Sequence, residues 1–458
     1  MPQYHKLVGG LLILVNRFRF KIFLMAISLV PLFYSSDHAI TSDQAKIAIE
    51  AFNKVYWRPS NKTYYKYDNL TGELDYWMWA HAWETEMDAY ERTKDPIYLQ
   101  KIRDTYDGFV AKYGTDLAGR DFNDDIGWWV MGATRAYDLT GEPLYLTLAK
   151  KNFDWVYTHE TDTVFGGGIW WKNSDRNQKN SASTLPYCVA GFKLGRQLKD
   201  PAYTDKARKL HLWMLSKMFR TYGEVADRIQ HYGAKDSTFW GPLSYNHGTF
   251  VSSSWEMFKV TGDSAYFKDA LQTLNYFRDI LSNKTTGILP DERGDGTGNT
   301  DNDAGMYKTV FVHYAMRFIM EAKQWQYLPW MEANAESLWK NRRPSDNLMY
   351  FAWATPTPTQ SGKVGAQMAS GGVALLNLMV VADSLQAKNT VGIERAFIGQ
   401  KFPVEFSGHS FAYSLPRKGD LSLTLYDFSG RFLQTLYSGS QEQGRHKAIK
   451  AKAGEGSN

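Results

Sequence analysis

From residue 41 to about 390, apolar residues recur at helical spacing and runs that alternate apolar with polar are almost absent. Thr41-Ser42-Asp43 offers capping side chains for a first helix that runs through Tyr56 and ends before Pro59. Four strings then repeat one design: RTKDPIYLQKI, LTGEPLYLTLA, QLKDPAYTDKA and VTGDSAYFKDA. Each reads as a helix end, a tight turn carrying an acid, and a tyrosine on the next helix. The tyrosines are Tyr98, Tyr145, Tyr203 and Tyr266, and Gln324-Trp325-Gln326-Tyr327 is a weaker fifth copy. Helical hairpins that cannot bury their apolar faces alone must stack on one another. The pattern predicts an all-α domain over 41–390 of about twelve helices. They form six hairpins, beginning near residues 42, 77, 123, 180, 245 and 305. No polar terminal repeats are evident, which favours a closed ring of inner and outer helices over an open solenoid.

The short KDP and TGE turns fall on one rim of such a ring. The long loops, VFGGGIWWKNSDRNQKN and LPDERGDGTGNTDND, fall on the other, and long loops gathered on a rigid scaffold usually carry function. After Lys388 the period changes. FAYSLPRKGDLSLTLYDFSGRFLQTLYSGS alternates apolar and polar residues and predicts a small β-sandwich-like module over 396–458, ending before enough strands are counted to close it. At the other end, Arg17, Arg19 and Lys21 precede the apolar run Ile22 to Tyr34, followed by Ser35 and Ser36. Residues 1–36 read as a signal peptide or N-terminal anchor, which predicts an exported protein (periplasmic, cell-surface or extracellular) in a bacterium.

Composition narrows the class. Lys plus Arg number 53 against 48 Asp plus Glu, a net charge of +5 without a long basic run, so the chain does not read as a nucleic-acid binder. The lone Cys188 forms neither an internal disulfide nor a thiolate metal site and reads as a buried small hydrophobe. Aromatic residues reach 15%, with 16 Trp and 28 Tyr. Rings in that number either fill a core or stack on the flat faces of a ligand such as a sugar.

The candidate chemistry lies in GRDFNDDIGWWVMGATRAYDLTGE. Asn123 can cap a helix whose first turn holds Asp124 and Asp125, followed by Trp128 and Trp129. Carboxylates in a first turn also suit the helix dipole, by about 0.3–1 kcal/mol each, so this reading stands beside a catalytic one. Two carboxyl groups about 5–5.5 Å apart fit a retaining glycosidase, whereas an inverting pair needs about 6.5–9.5 Å. Like charges that close cannot both ionise easily, which raises one pKa and supplies a general acid.

NDDIGWW resembles the paired-aspartate motif of glycoside hydrolase family 76, the α-1,6-mannanases. GGGIWWK at 166–172, KNS at 179–181, SYNHGT at 244–249 and MYKTVFVHY at 306–314 follow in the family's order over roughly residues 42–385. The resemblance implies an (α/α)6 barrel and retaining, endo-acting hydrolysis of α-1,6-mannosidic bonds in a mannan polysaccharide or oligosaccharide. Asp124 would be the nucleophile and Asp125 the acid/base, with no metal or cofactor. Trp128, Trp129, Trp170, Trp171 and Tyr245 would hold pyranose faces, Asn180, Asn246 and His247 would contact substrate, and Lys308 would face the groove. The chain departs from the family at His247, where glutamine is common, and at Ser183-Thr184, where Ser-Asn is common. The tail resembles Ig-like or sorting-type modules of secreted bacterial enzymes, which implies cell-surface association through that module, and the chain is expected to be a monomer.

Other residues read blandly. Trp77, Trp79 and Trp83 form a core-type stripe, although His81 and Glu84 could point inward. Asp291, Asp295, Asp301 and Asp303 do not match an EF-hand loop and read as a solvated turn rather than a calcium site. Two further readings remain open: a transglycosylase acting on α-mannan or cell-wall glycan, and a non-catalytic carbohydrate-binding surface protein. A lyase or uronide hydrolase of the same fold would need Arg near the pair, and only Arg120 is close in sequence.

Overall fold

The structure is a computed structural model that describes residues 40–233, 235–292 and 303–397, and strands between 404 and 447. The N-terminal segment 1–36 read as a signal peptide or anchor, and Asp295 and Asp301, lie outside the described residues. The chain divides into one unit of His38–Lys388 and a second that holds the strands beyond it.

Twelve α-helices are found among the described residues. They are α1 (Ser42–Tyr56), α2 (Tyr76–Thr93), α3 (Pro96–Tyr113), α4 (Asn123–Thr140), α5 (Pro143–His159), α6 (Ser181–Leu198), α7 (Pro201–Lys217), α8 (Ser244–Thr261), α9 (Ser264–Tyr276), α10 (Ala304–Glu321), α11 (Leu328–Lys340) and α12 (Ala366–Phe397). Even-numbered helices are inner: α4 buries every residue from Ile126 to Ala136, and α6 every residue from Ser181 to Phe192. Odd-numbered helices bury one stripe, as α7 does with Tyr203, Ala207, Leu210, His211 and Met214. Neighbouring inner helices pack on one another from α2 through α10. Thr309 of α10 meets Ser370 of α12 at 3.0 Å, and Arg92 of α2 donates to Asn377 of α12 at 2.7 Å. These contacts close the ring into an all-α barrel. The segment from residue 42 is a lone outer helix rather than a hairpin; the sixth inner helix is α12, at the far end of the domain.

The repeated turns are helix junctions. Lys94, Gly141, Lys199 and Gly262 end the inner helices in left-handed conformation. Asp95, Asp200 and Asp263 then cap α3, α7 and α9 by accepting an amide N–H, and Pro96, Pro143 and Pro201 open α3, α5 and α7. Tyr98, Tyr145 and Tyr203 are buried one turn later.

The opposite rim carries short strands: β1 (Trp57–Arg58) with β2 (Thr63–Tyr64), and an antiparallel sheet of β3 (Gln178–Asn180), β4 (Arg228–Tyr232) and β5 (Lys235–Phe239) in that order. In the second unit, β6 (Val404–Ser407), β7 (Ser410–Leu415) and β10 (Gly444–Lys447) form one antiparallel sheet. There β8 (Gly419–Tyr426) pairs with β9 (Phe432–Gln441). The alternation after Lys388 therefore corresponds to strands, although α12 runs on to Phe397 before them.

Candidate active site

The first turns of α2, α4, α6, α8 and α10 converge on a cleft of about 290 Å³, lined by Asp75, Trp77, Phe122, Asp124, Asp125, Trp128, Trp171, Ala182, Tyr245, Asp303 and Tyr307. The second residue of α2, α4, α6 and α8 is Trp77, Asp124, Ala182 and Tyr245 respectively, so one helical position supplies four of these side chains.

Asp124 and Asp125 lie half-buried at the start of α4. Asp124 Oδ1 accepts the Asp125 amide at 3.1 Å, and Asp124 Oδ2 accepts the Trp171 indole N–H at 3.1 Å. Asp125 receives no hydrogen bond from the described residues. Burial pushes both carboxyls up. The Trp171 and backbone donors pull Asp124 back, whereas the neighbouring Asp124 charge drives Asp125 further, well above the carboxylate range. Asp125 therefore holds its proton more tightly than Asp124, and that ordering is the division of labour an acid/nucleophile pair needs.

Four more aromatic rings in contact with one another share the cleft wall. Trp128 meets Trp77 and Tyr245 at 6.4 Å between ring centroids, and Tyr245 meets Tyr307 at 4.4 Å. Trp77 Nε1 donates to Asp303 Oδ1 at 3.2 Å, and Lys66 pairs with Asp75 at 2.8 Å. The stripe reading thus holds for the fully buried Trp79 and Trp83 but not for Trp77, and Asp303, exposed in a turn, also lines the cleft. Trp77, Tyr307, Phe122, Asp75 and Asp303 escape sequence reasoning. For Trp77 the signal was available: it occupies on α2 the place that Asp124 occupies on α4.

Six expected contacts lie elsewhere. Trp129 is fully buried, stacked on Phe109 at 3.5 Å, and donates to the Tyr76 carbonyl at 2.9 Å. Trp170 is buried against Phe165 and donates to Asp162 at 2.8 Å. The Gly166–Gly168 turn brings backbone close to Trp213 rather than to a ligand: a Cβ on Gly168, at φ +80°, would lie 2.7 Å from that ring. Asn180 is buried at the head of α6, outside the cleft lining. Asn246 is fully buried and reaches only toward Asp227. His247 is buried between the Leu243 carbonyl, 2.8 Å from Nδ1, and the Val225 amide, which donates to Nε2 at 3.2 Å. Burial lowers its pKa to about 4, so it is a neutral packing residue. Lys308 is buried, bonded to Asp291 at 2.6 Å and to the Phe351 carbonyl at 2.7 Å.

Below the cleft floor, His81, Glu84 and His313 bring potential ligand atoms within 4.8 Å of one another. Both Glu84 oxygens are already engaged, Oε2 by Arg135 at 3.1 Å and Oε1 by Tyr314 at 2.5 Å. Arg135 also holds Asp88 and Glu91, and Arg317 pairs with the same two acids. This cluster binds α2, α4 and α10 together and reads as structural.

Residues 40–389 match Glycosyl hydrolase family 76. The mannan endo-1,6-alpha-mannosidase DCW1 of Candida glabrata is 22% identical over 278 residues, 57% of this chain and 59% of that protein. The mannan endo-1,6-alpha-mannosidase DFG5 of Saccharomyces cerevisiae is 23% identical over 267 residues, 51% and 56% of the two chains. The chain thus spans somewhat more than half the length of these curated relatives. Among solved structures, the GH76A alpha-1,6-mannanase from Salegentibacter sp. HEL1_6 superimposes with a TM-score of 0.67 at 24% identity, covering 74% of this chain and 99% of that one. An inactive variant of that enzyme, with two consecutive aspartates changed to asparagine, is solved with alpha-1,6-mannotriose. These likenesses show the fold. The curated relatives are fungal, from Candida, Saccharomyces and Eremothecium, and they overturn the expectation of a bacterial origin.

Proposed function

The chain belongs to glycosyl hydrolase family 76, and from that premise we propose that it is a retaining endo-α-1,6-mannanase built on an (α/α)6 barrel. The reading is carried by two adjacent carboxyls in unlike environments on the floor of an aromatic cleft. The names of its relatives point to α-1,6-mannan as the substrate.

In the first step Asp124 attacks the anomeric carbon, and a C–O bond to its carboxylate forms as the bond to the leaving sugar breaks. Asp125 gives its proton to the departing oxygen. In the second, Asp125 takes a proton from water while that water's oxygen displaces Asp124, and configuration is retained after two inversions. Trp77, Trp128, Tyr245 and Tyr307 present ring faces and edges suited to pyranose stacking.

The test is digestion of unbranched α-1,6-mannan with products sized. Asp124→Asn and Asp125→Asn are each expected to lower turnover by about 10²–10⁴-fold. Unchanged turnover in both variants would falsify the mechanism.

A further inference from the structure

The two tryptophans of the Gly-rich loop divide their work. Trp170 packs inward, whereas Trp171 is tied to the head of α4 by main chain and side chain together. The Trp171 carbonyl accepts the Asn123 amide at 2.9 Å, and the Trp171 amide donates to the Gln178 carbonyl at 3.0 Å. Asn123 Nδ2 donates to the carbonyl of Trp170 at 3.0 Å. The ring itself is hemmed in: Lys172 Nζ lies 4.5 Å from its centroid, and Phe122 meets it edge-on at 5.3 Å. Its single polar atom donates to Asp124 Oδ2 at 3.1 Å. A ring whose surroundings are filled in this way is poorly placed to stack on a sugar, but its N–H is held firmly.

Resting on the mannanase reading above, we propose that Trp171 is a positioning residue: its indole N–H keeps Asp124 as the ionised, nucleophilic member of the pair. Asp125, one residue further on, receives no side-chain donor from the described residues, so the indole N–H adds to the backbone donor on Asp124 in making two identical side chains unequal. A hydrogen bond to the charged form of an acid favours that form, and its loss makes the carboxylate a stronger base that protonates at higher pH.

The clean probe is the full-length protein with Trp171 replaced by β-(3-benzothienyl)alanine, which keeps the ring outline and exchanges N–H for sulfur. Trp171→His, which restores a ring N–H, serves as the rescue. The isostere is expected to lower kcat on α-1,6-mannan about 10- to 100-fold, with KM within about twofold, and to move the acidic limb of the pH profile upward. The His variant should recover part of kcat. The Asp124 titration midpoint, read by carboxyl-region infrared difference spectra and assigned with Asp124→Asn, should rise in the isostere whether or not the protein cuts mannan. An unshifted midpoint overturns the inference. A raised KM with unchanged kcat also overturns it, because that is the behaviour of a sugar platform. A shifted midpoint in a protein that leaves mannan intact supports the contact and sinks the mannanase reading instead.

Discussion

Asp125 is pressed between a buried setting and a second carboxyl, and both favour its protonated form. Unfolding returns it to an ordinary aspartate with a pKa of about 3.9. Between that value and the raised folded-state value, the folded chain binds more protons than the unfolded one, so its stability falls as pH rises. This is the reverse of a salt-bridged carboxylate, whose contribution is lost on acidification. Asparagine cannot ionise and escapes the penalty. Asp125→Asn is therefore expected to melt about 2–4 °C above the parent at pH 7 in scanning calorimetry. The gap should narrow as pH falls toward about 4 and close below about 3, where the parent's side chain is protonated in both states. A variant that melts below the parent at pH 7 would mean that Asp125 stabilises the fold, contrary to its surroundings. Catalytic groups commonly carry such a cost, which is one reason stability and activity trade against each other.

The inner helices show which parts of the fold local sequence can specify. The rim of short turns was legible because its cues are chemical and contiguous: a left-handed Gly or Lys, a capping acid, and often a proline at the first helical position. The aspartate pair was legible for a similar reason, since two acids open a helix on the loop-rich rim. Trp129 and Trp170 were misread because a tryptophan next to a functional residue has no sequence mark that tells a core ring from a ligand platform. His247 and Lys308 were misread because their partners, Val225 and Asp291, stand 22 and 17 residues upstream, in the loops that precede α8 and α10, beyond the reach of helical spacing. Ring closure itself rests on α12, which follows a long loop and completes a ring begun by α2. Close approach within that ring is testable at Gly248 of α8, where a Cβ would sit 2.6 Å from Phe311 Cα and 3.1 Å from its carbonyl oxygen. Backbone cannot yield as a side-chain tip does, so α8 and α10 must part. Gly248→Ala should lose about 1–3 kcal/mol of stability in denaturant melts. It should also lower activity, because Tyr245 and Tyr307 project from these two helices into the cleft. Gly241→Ala, with nothing within 4 Å of the new methyl, is the control and should melt like the parent.

At the scale of the whole molecule, charge separates substrate classes that the fold alone does not. An excess of +5 from 53 basic and 48 acidic residues is too small and too dispersed to draw a polyanion from a distance. The cleft points the same way: its described lining holds four aspartates and no lysine or arginine, and the adjacent Lys66 is paired with Asp75. A polyanion would meet repulsion at its destination as well as a weak field on approach. A neutral mannan meets neither, and its binding would rest on ring faces and hydroxyl hydrogen bonds that salt barely screens. Raising sodium chloride from about 50 to about 500 mM shortens the Debye length from roughly 14 to roughly 4 Å, which suppresses long-range attraction. On α-1,6-mannan, kcat/KM is expected to change by less than about twofold over that range, because no charge on the substrate is being steered. A tenfold fall would show that attraction between opposite charges drives association, and the neutral-substrate reading would then be wrong even if the aspartate pair proved catalytic.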